Sequence, residues 1–261
     1  LVWFIPAAEA LDQAELTKLL EDAREDGNMP GLRAAVRYSD GRVLRAALGL
    51  ADVEAGIPLN DTVGMPGGST GKTFVAATAM LLVEEGFLSL DDPISYWLAA
   101  KPWYEELPNA EQIRVGHLLS HSSGIADYPD TMAFQVAMIW RAMRRGSAYF
   151  EPEELIGFVL NKRAPFLPGN GYRYTDAGYL VLGILLEEAT GRNYYDILSE
   201  RILEPMNLTD VRPADQSILI DITPGYTGGA RNLREDGRMK FDPSSEWTGG
   251  GLIVNPTMLV E

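Results

Sequence analysis

The 261-residue sequence contains no cysteine and only two histidines. Without cysteine the chain can form no disulfide, no thiolate nucleophile and no cysteine-ligated metal site. His117 and His121 have the i, i+4 spacing of a helical zinc pair, but no glutamate lies between them and no third ligand is apparent. We therefore expect no metal site and no cofactor.

Positive charge is also scarce, since 22 lysines and arginines stand against 37 acidic residues and leave a formal net charge of −15. Such a surface repels phosphate backbones and anionic lipids, so a nucleic-acid partner is not expected. No run of apolar residues reaches the length of a membrane span, and none is predicted.

The first ten residues, LVWFIPAAEA, combine a short apolar run with an Ala8-Glu9-Ala10 sequence that resembles a signal-peptide cleavage site. This pattern favours a periplasmic or secreted protein. The positively charged segment that begins a signal peptide is missing. An ordinary apolar N-terminus and a cytoplasmic location therefore stay open.

Local patterns divide the chain into three predicted segments. Residues 1–87 contain an amphipathic helix over 11–26, a hairpin around Asp40-Gly41 and a helix near Ser69 that is apolar on every side. The second segment, 88–210, is predicted to form a mostly helical lobe. The third, 211–261, is rich in glycine, proline and charge, which predicts a loop-rich return toward the sheet.

Three motifs overlap in the stretch GMPGGSTGKT at residues 64–73. A phosphate-binding loop is excluded, because that motif needs glycine where Pro66 stands and proline removes a backbone donor. A G-x-S-x-G nucleophile elbow around Ser69 matches in letters, but no buried strand precedes it and no histidine follows late in the chain to serve as base. The remaining motif is Ser69-x-x-Lys72.

Ser69 and Lys72 lie one helical turn apart on the same face, so the amine can reach the hydroxyl. A lysine in an otherwise apolar helix is costly to bury and needs either partners or the loss of its charge. An uncharged amine can accept a proton from a serine hydroxyl. From these residues alone, a lysine at the helix end whose head group reaches solvent stays the simpler interpretation.

Four blocks of the chain add to this motif, and they are GGSTGKTFVAATAMLLVEEGFLSLDDPI, IRVGHLLSHSSGI, FLPGNGYRYTDAGYLVLGILLEEATGRNYYDILSERILEPMNLTDV and GGGLIVNPTMLV. In this order they resemble the serine β-lactamase and penicillin-binding family. The resemblance is to its branch of class C β-lactamases, D-Ala-D-Ala carboxypeptidases, family VIII-type esterases and D-aminopeptidases. It implies an α/β (α+β) fold, with an antiparallel sheet flanked by helices and a mostly helical lobe.

The resemblance assigns Ser69 as the acylated nucleophile and makes Lys72 and Tyr174 the groups that carry its proton. The Ser69 N–H is expected to supply half of an oxyanion hole. Where the family has Tyr-x-Asn, this chain has Tyr174-Thr175-Asp176. A carboxylate accepts hydrogen bonds but donates none, so Asp176 is predicted either to contact substrate, disfavouring β-lactam amides, or to pair with Lys72.

The family's third motif, a [KH]-[TSA]-G strand that supplies the second oxyanion donor, is expected after GGGLIV, and the sequence ends at Glu261 before it. We therefore expect an incomplete sheet, which a C-terminal fragment or a neighbouring chain would complete.

These features predict a serine hydrolase that works through an acyl-enzyme on a compact ester or amide, such as a carboxylic ester, a β-lactam or a D-alanyl peptide. The expected partner is thus a small-molecule substrate. The alternative is a non-catalytic family member that binds a penicilloyl group or acts as a sensor, which Asp176 and the missing motif favour.

Overall fold

The computed structural model describes residues 11–145 and 148–260. The predicted signal-peptide remnant at residues 1–10 lies outside them. Across these two stretches, no helix is both long and apolar enough to cross a lipid bilayer.

Most helices lie in the middle of the described chain, and the strands lie before and after them. The helices are α1 (Gln13–Asp26), α2 (Gly71–Glu84), α3 (Ser95–Leu98), α4 (Val115–Leu119), α5 (Met132–Arg145), α6 (Pro152–Gly157), α7 (Asp176–Thr190), α8 (Tyr194–Leu198) and α9 (Pro256–Val260). The strands are β1 (Gly31–Arg37), β2 (Val43–Asp52), β3 (Ile57–Pro58), β4 (Met65–Pro66), β5 (Arg212–Pro213), β6 (Tyr226–Thr227), β7 (Ala230–Arg231) and β8 (Leu252–Val254).

The chain divides into two units, each assembled from separate segments. The first contains residues 11–65, Asp221–Arg231 and residues 254–260 of the described chain. The second contains Pro66–Ile220 and Asn232–Ile253. Each unit therefore depends on contacts between residues that are distant in the sequence.

In the first unit, helix α1 covers a hairpin of β1 and β2. The strands pair antiparallel across the predicted turn, where Gly41 has a φ of +89°. This left-handed backbone suits glycine, and the predicted hairpin is confirmed. Strand β3 pairs antiparallel with β2. The shared core consists of Leu11, Leu16, Leu20, Leu32, Ala34, Val36, Leu44, Ala46 and Leu48.

The second unit is built around helix α7, in which every residue from Ala177 to Leu186 is buried. The Thr175 hydroxyl caps its first turn by accepting from the Gly178 N–H at 3.2 Å, and the helix ends at Gly191, whose φ is +66°. Because α7 is apolar on all sides, other elements must surround it. Helices α2, α3, α4, α6 and α8 all contact it.

Strand β8 brings the GGG segment of the chain next to the residues that precede α2. It pairs antiparallel with β5, and the Gly67 N–H donates to the Leu252 carbonyl at 2.8 Å. The 3₁₀ turns Gly68–Thr70 and Trp247–Gly249 are thereby placed side by side. This pairing within the second unit positions the candidate site.

Candidate active site

Ser69 lies in the 3₁₀ turn that leads directly into α2. Two glycines let another loop approach this turn closely. A Cβ atom placed on Gly71 would come within 2.8 Å of the Gly250 Cα, and one placed on Gly250 would come within 3.1 Å of the Ser69 nitrogen. Gly71 and Gly250 therefore serve close backbone packing.

The Ser69 hydroxyl has two polar neighbours, both of them predicted site residues. The Tyr174 hydroxyl donates to Ser69 Oγ at 2.6 Å, and Lys72 Nζ donates to the same oxygen at 3.4 Å. The first distance is that of a strong O–H···O hydrogen bond, whereas the second is at the long limit. The phenol is therefore the nearer proton-carrying group.

Lys72 is buried, with 5% of its surface exposed. Its ammonium lies 2.5 Å from Asp176 Oδ1 and donates to the Gly249 carbonyl. The nitrogen also lies 5.0 Å from the ring centre of Tyr174 and 5.5 Å from that of Tyr179, within the range of cation–π attraction. The interpretation in which this lysine reaches solvent is wrong, because its partners hold it inside.

Asp176 is the first residue of α7, and its carboxylate contacts two other predicted site residues. Its Oδ1 accepts from Lys72 Nζ and, at 3.2 Å, from the Tyr174 hydroxyl. The predicted pairing with Lys72 is thus observed. The side chain also borders the cavity beside Ser69, so a substrate contact stays a prediction.

His121 packs against the ring of Tyr174. The two ring centres are 4.5 Å apart, and the ring centres of Tyr179 and Tyr172 lie 4.9 and 5.9 Å from that of His121. His121 Nδ1 accepts from the Thr175 N–H at 3.3 Å. Burial, followed by the positive charge of Lys72, lowers the pKa of His121. A neutral imidazole therefore packs against the phenol ring of Tyr174.

Asp127 fixes the start of α7. Its Oδ1 accepts from the N–H groups of Asp176 at 2.8 Å and Ala177 at 3.2 Å, and from the Tyr128 N–H at 3.1 Å. Burial, followed by the nearby charge of Asp176, raises the pKa of Asp127. The sequence analysis missed this residue, because a cap from 49 positions away leaves no local pattern.

A cavity of about 250 Å³ opens beside Ser69. Most of its wall is apolar or glycine, and its charged members are both acidic. The lining residues are Gly68, Ser69, Tyr128, Pro129, Phe134, Met138, Asp176, Phe241, Glu246 and Gly249. A larger cavity of about 980 Å³ in the same unit has none of the four predicted site residues in its wall.

Glu246 is the acidic wall residue that the sequence did not predict. Burial, followed by repulsion from Asp176, raises the pKa of Glu246, and attraction to Lys72 opposes this shift. Glu246 lies three positions before the first glycine of the GGG block, but a glutamate in a loop carries no distinctive signal. Only the fold places Glu246 in the wall of the cavity beside Ser69.

The two histidines do not share a ligand position. His117 Nδ1 accepts from the Arg114 N–H at 3.1 Å, whereas His121 faces Thr175. Over residues 11–145 and 148–260, no group of three or more histidine, aspartate or glutamate side chains is arranged to hold a metal ion.

Comparisons with known proteins point in one direction. A family model described as Beta-lactamase matches residues 16–260. Esterase EstB from Burkholderia gladioli is 28% identical over 224 residues, which cover 78% of this chain and 53% of the esterase. A D-aminopeptidase from Brucella anthropi is 30% identical over 200 residues, which cover 76% of this chain and 36% of that protein.

Among solved structures, a D-stereospecific amidohydrolase from a Streptomyces species superposes with a TM-score of 0.79 at 25% identity. The match covers 95% of this chain and 71% of the amidohydrolase. The chain thus spans about half or less of the two curated relatives, at 53% and 36% of their lengths.

Proposed function

Because the chain belongs to the Beta-lactamase family, we propose that it acts as a serine hydrolase that forms an acyl-enzyme at Ser69 on a compact ester or amide. The family and the β-lactamase/transpeptidase-like fold that the sequence predicts are both confirmed. What we propose is the acyl-enzyme mechanism at Ser69 and the compact ester or amide substrate.

The observation that carries the proposal is the hydrogen bond of 2.6 Å between the Tyr174 hydroxyl and Ser69 Oγ at the mouth of a cavity. A serine becomes a nucleophile when a group within hydrogen-bond reach takes its proton. Tyr174 and Lys72 are the side chains within that reach among the described residues. Both are held in place, by His121 and Asp176 respectively.

In the first step, Ser69 Oγ attacks the substrate carbonyl carbon and forms the new C–O bond. Tyr174, as the phenolate beside the Lys72 ammonium, accepts the serine proton, and the resulting phenol gives a proton to the leaving alcohol or amine as the scissile bond breaks. In this proposal the Ser69 N–H stabilises the oxyanion that forms. The product of this step is an ester between Ser69 and the acyl group.

In the second step, a water molecule gives a proton to the Tyr174 phenolate and attacks the acyl carbon. The bond to Ser69 Oγ breaks, and the serine recovers its proton. One set of groups can serve both steps because each step moves one proton off an attacking oxygen and one onto a leaving atom.

The size of the cavity supports a compact acyl group. Pockets for drug-sized ligands run from about 300 to 1,000 Å³, so about 250 Å³ holds a smaller group. Phe134, Met138 and Phe241 give part of its wall an apolar character. The esterase and D-aminopeptidase relatives are consistent with ester or amide chemistry here.

Active-site labelling tests the nucleophile. A fluorophosphonate probe is expected to label the full-length gene product at Ser69, and Ser69→Ala is expected to abolish the label. Ser39→Ala, which changes an exposed serine in the hairpin turn, is the matched control and should label normally. Labelling that persists in Ser69→Ala would place the nucleophile elsewhere.

Turnover separates an enzyme from the non-catalytic alternative. With a p-nitrophenyl ester, an enzyme releases nitrophenol continuously, whereas an acyl-accepting binding protein gives at most one equivalent per chain. Sustained release that depends on Ser69 is the expected result.

A further inference from the structure

The charged residues in the wall of the cavity beside Ser69 are all acidic. Its wall contains two carboxylates, Asp176 and Glu246, and no lysine or arginine among the residues that the structure describes. Lys72 lies behind this wall and is already committed to Asp176, Gly249 and Ser69. The space that a substrate would occupy is therefore bordered by negative charge.

The two carboxylates differ in what they contact. Asp176 forms an ion pair of 2.5 Å with Lys72. Within residues 11–145 and 148–260, no side chain forms a hydrogen bond or ion pair with the Glu246 carboxylate. Glu246 is half-buried, and a carboxylate that is partly removed from water without a partner is destabilised; burial is also the main cause of its raised pKa.

A ligand cation in the cavity would offset that cost. Ser69 Oγ and Glu246 border the same cavity of about 250 Å³, so a group bound to Glu246 lies close to the carbonyl that Ser69 attacks. The amine next to the carbonyl of an aminoacyl compound is such a group, and it is protonated at neutral pH. A carboxylate at the same position would instead be repelled by both wall residues.

We propose that Glu246 is a specificity-determining residue that binds the ammonium of an aminoacyl ester or amide and orients its carbonyl toward Ser69. This inference rests on the proposed function and names its substrate class. It also implies discrimination against acyl donors with a carboxylate near the scissile bond, a group that β-lactams carry.

A matched pair of substrates isolates the ammonium. Alanine p-nitroanilide and propionyl p-nitroanilide differ only in the amine, and each enantiomer of the first is measured separately. The wild-type gene product is expected to show a higher kcat/KM for one alanine compound. Glu246→Gln, which keeps the shape and removes the charge, should lower the ratio of the two kcat/KM values by about 10- to 150-fold, the range of one charge-assisted hydrogen bond.

Glu105→Gln removes the same charge from an exposed residue outside the cavity and is expected to leave the ratio unchanged. A ratio that is also unchanged in Glu246→Gln would overturn the proposal. Equal losses of kcat/KM on both substrates also leave the ratio unchanged, and they would show that Glu246 does not recognise the amine.

Failure of the proposed function gives a different result. If the wild type hydrolyses neither these compounds nor the p-nitrophenyl ester, the hydrolase proposal is contradicted, and binding is then measured by calorimetry with alaninamide and propionamide. A preference for alaninamide that Glu246→Gln removes supports ammonium recognition on its own. Equal binding of the two amides overturns it.

Discussion

The ammonium nitrogen of Lys72 lies 2.5 Å from Oδ1 of Asp176, and the two side chains are 6% and 24% exposed. A charge held away from water depends on its partner, since losing one member leaves the other buried and uncompensated. The pair also reaches Tyr174 through Asp176, so one carboxylate orders both proton-carrying groups.

Removing this carboxylate should therefore destabilise the protein. Asp176→Ala is expected to lower the free energy of unfolding by about 1.5–3 kcal/mol, the value of a hydrogen bond to a charged group. Asp176→Asn keeps an acceptor oxygen and should cost less. Urea unfolding measures both, with Asp130→Ala as control, because Asp130 pairs with Arg173 at the exposed surface and should cost at most about 1 kcal/mol. Equal losses at the two sites would contradict the importance of burial.

The same carboxylate should disfavour β-lactams. Asp176→Asn is expected to raise the acylation rate by penicillins, relative to that by p-nitrophenyl esters, by roughly tenfold. This factor corresponds to a change of about 1–2 kcal/mol in the free energy of activation, because an amide can donate to the substrate and repels no carboxylate. Stopped-flow acylation with both reagents measures the ratio. An unchanged ratio would show that Asp176 does not contact this side of the substrate.

The phenol oxygen of Tyr174 should matter more than its ring. Tyr174→Phe keeps the packing against His121 and removes the group at 2.6 Å from Ser69 Oγ. Acylation is expected to slow by about 10²–10⁴-fold, as for loss of a positioned acid–base group. Tyr172→Phe removes a hydroxyl from a neighbouring tyrosine that is 70% exposed, and its rate should stay at the wild-type value. Similar rates in the two variants would exclude Tyr174 from proton transfer.

His121 should act by positioning Tyr174. His121→Phe retains a ring at the stacking position, whereas His121→Ala leaves a gap, and both replace a residue whose φ is +54°. The backbone strain is therefore similar, and the difference reports the ring. The alanine variant is expected to acylate about 2- to 10-fold more slowly than the phenylalanine variant, corresponding to 0.5–1.5 kcal/mol of ring contact. The loss of activity should appear as a lower kcat with an unchanged KM. Equal acylation rates in the two variants would contradict the positioning role.

Glu246 should weaken the fold at neutral pH. Its pKa is raised in the folded protein, so below the ordinary glutamate pKa its contribution to stability is fully present, and the contribution is lost as pH rises through the raised value. Glu246→Gln should therefore melt at a higher temperature than the wild type at pH 7, and the difference should shrink toward pH 4. Thermal unfolding across this pH range measures the difference in melting temperature. Glu105→Gln is the control, and its difference from the wild type should not change with pH. A difference that grows on acidification would reverse the assigned sign.

Local patterns in the sequence determined several features correctly. The apolar spacing of α1, the Asp40-Gly41 turn and the apolar helix α2 each depend on neighbours within a few residues, which is the range over which helix and hairpin preferences act. The motif Ser69-x-x-Lys72 is equally local, since a helical turn sets the spacing of its two side chains. The resemblance of four sequence blocks then identified the family.

Only the tertiary structure decided how the site is charged and held. Asp127 caps α7 from 49 positions away, and Tyr174 meets Ser69 across 105 positions. Neither contact follows from a periodic pattern, because each needs the buried helix α7 to be packed first. Whether Lys72 was buried with a partner, and whether Glu246 lined the cavity beside Ser69, also depended on the fold. Burial sets the energy of a charge, and burial is a property of the fold.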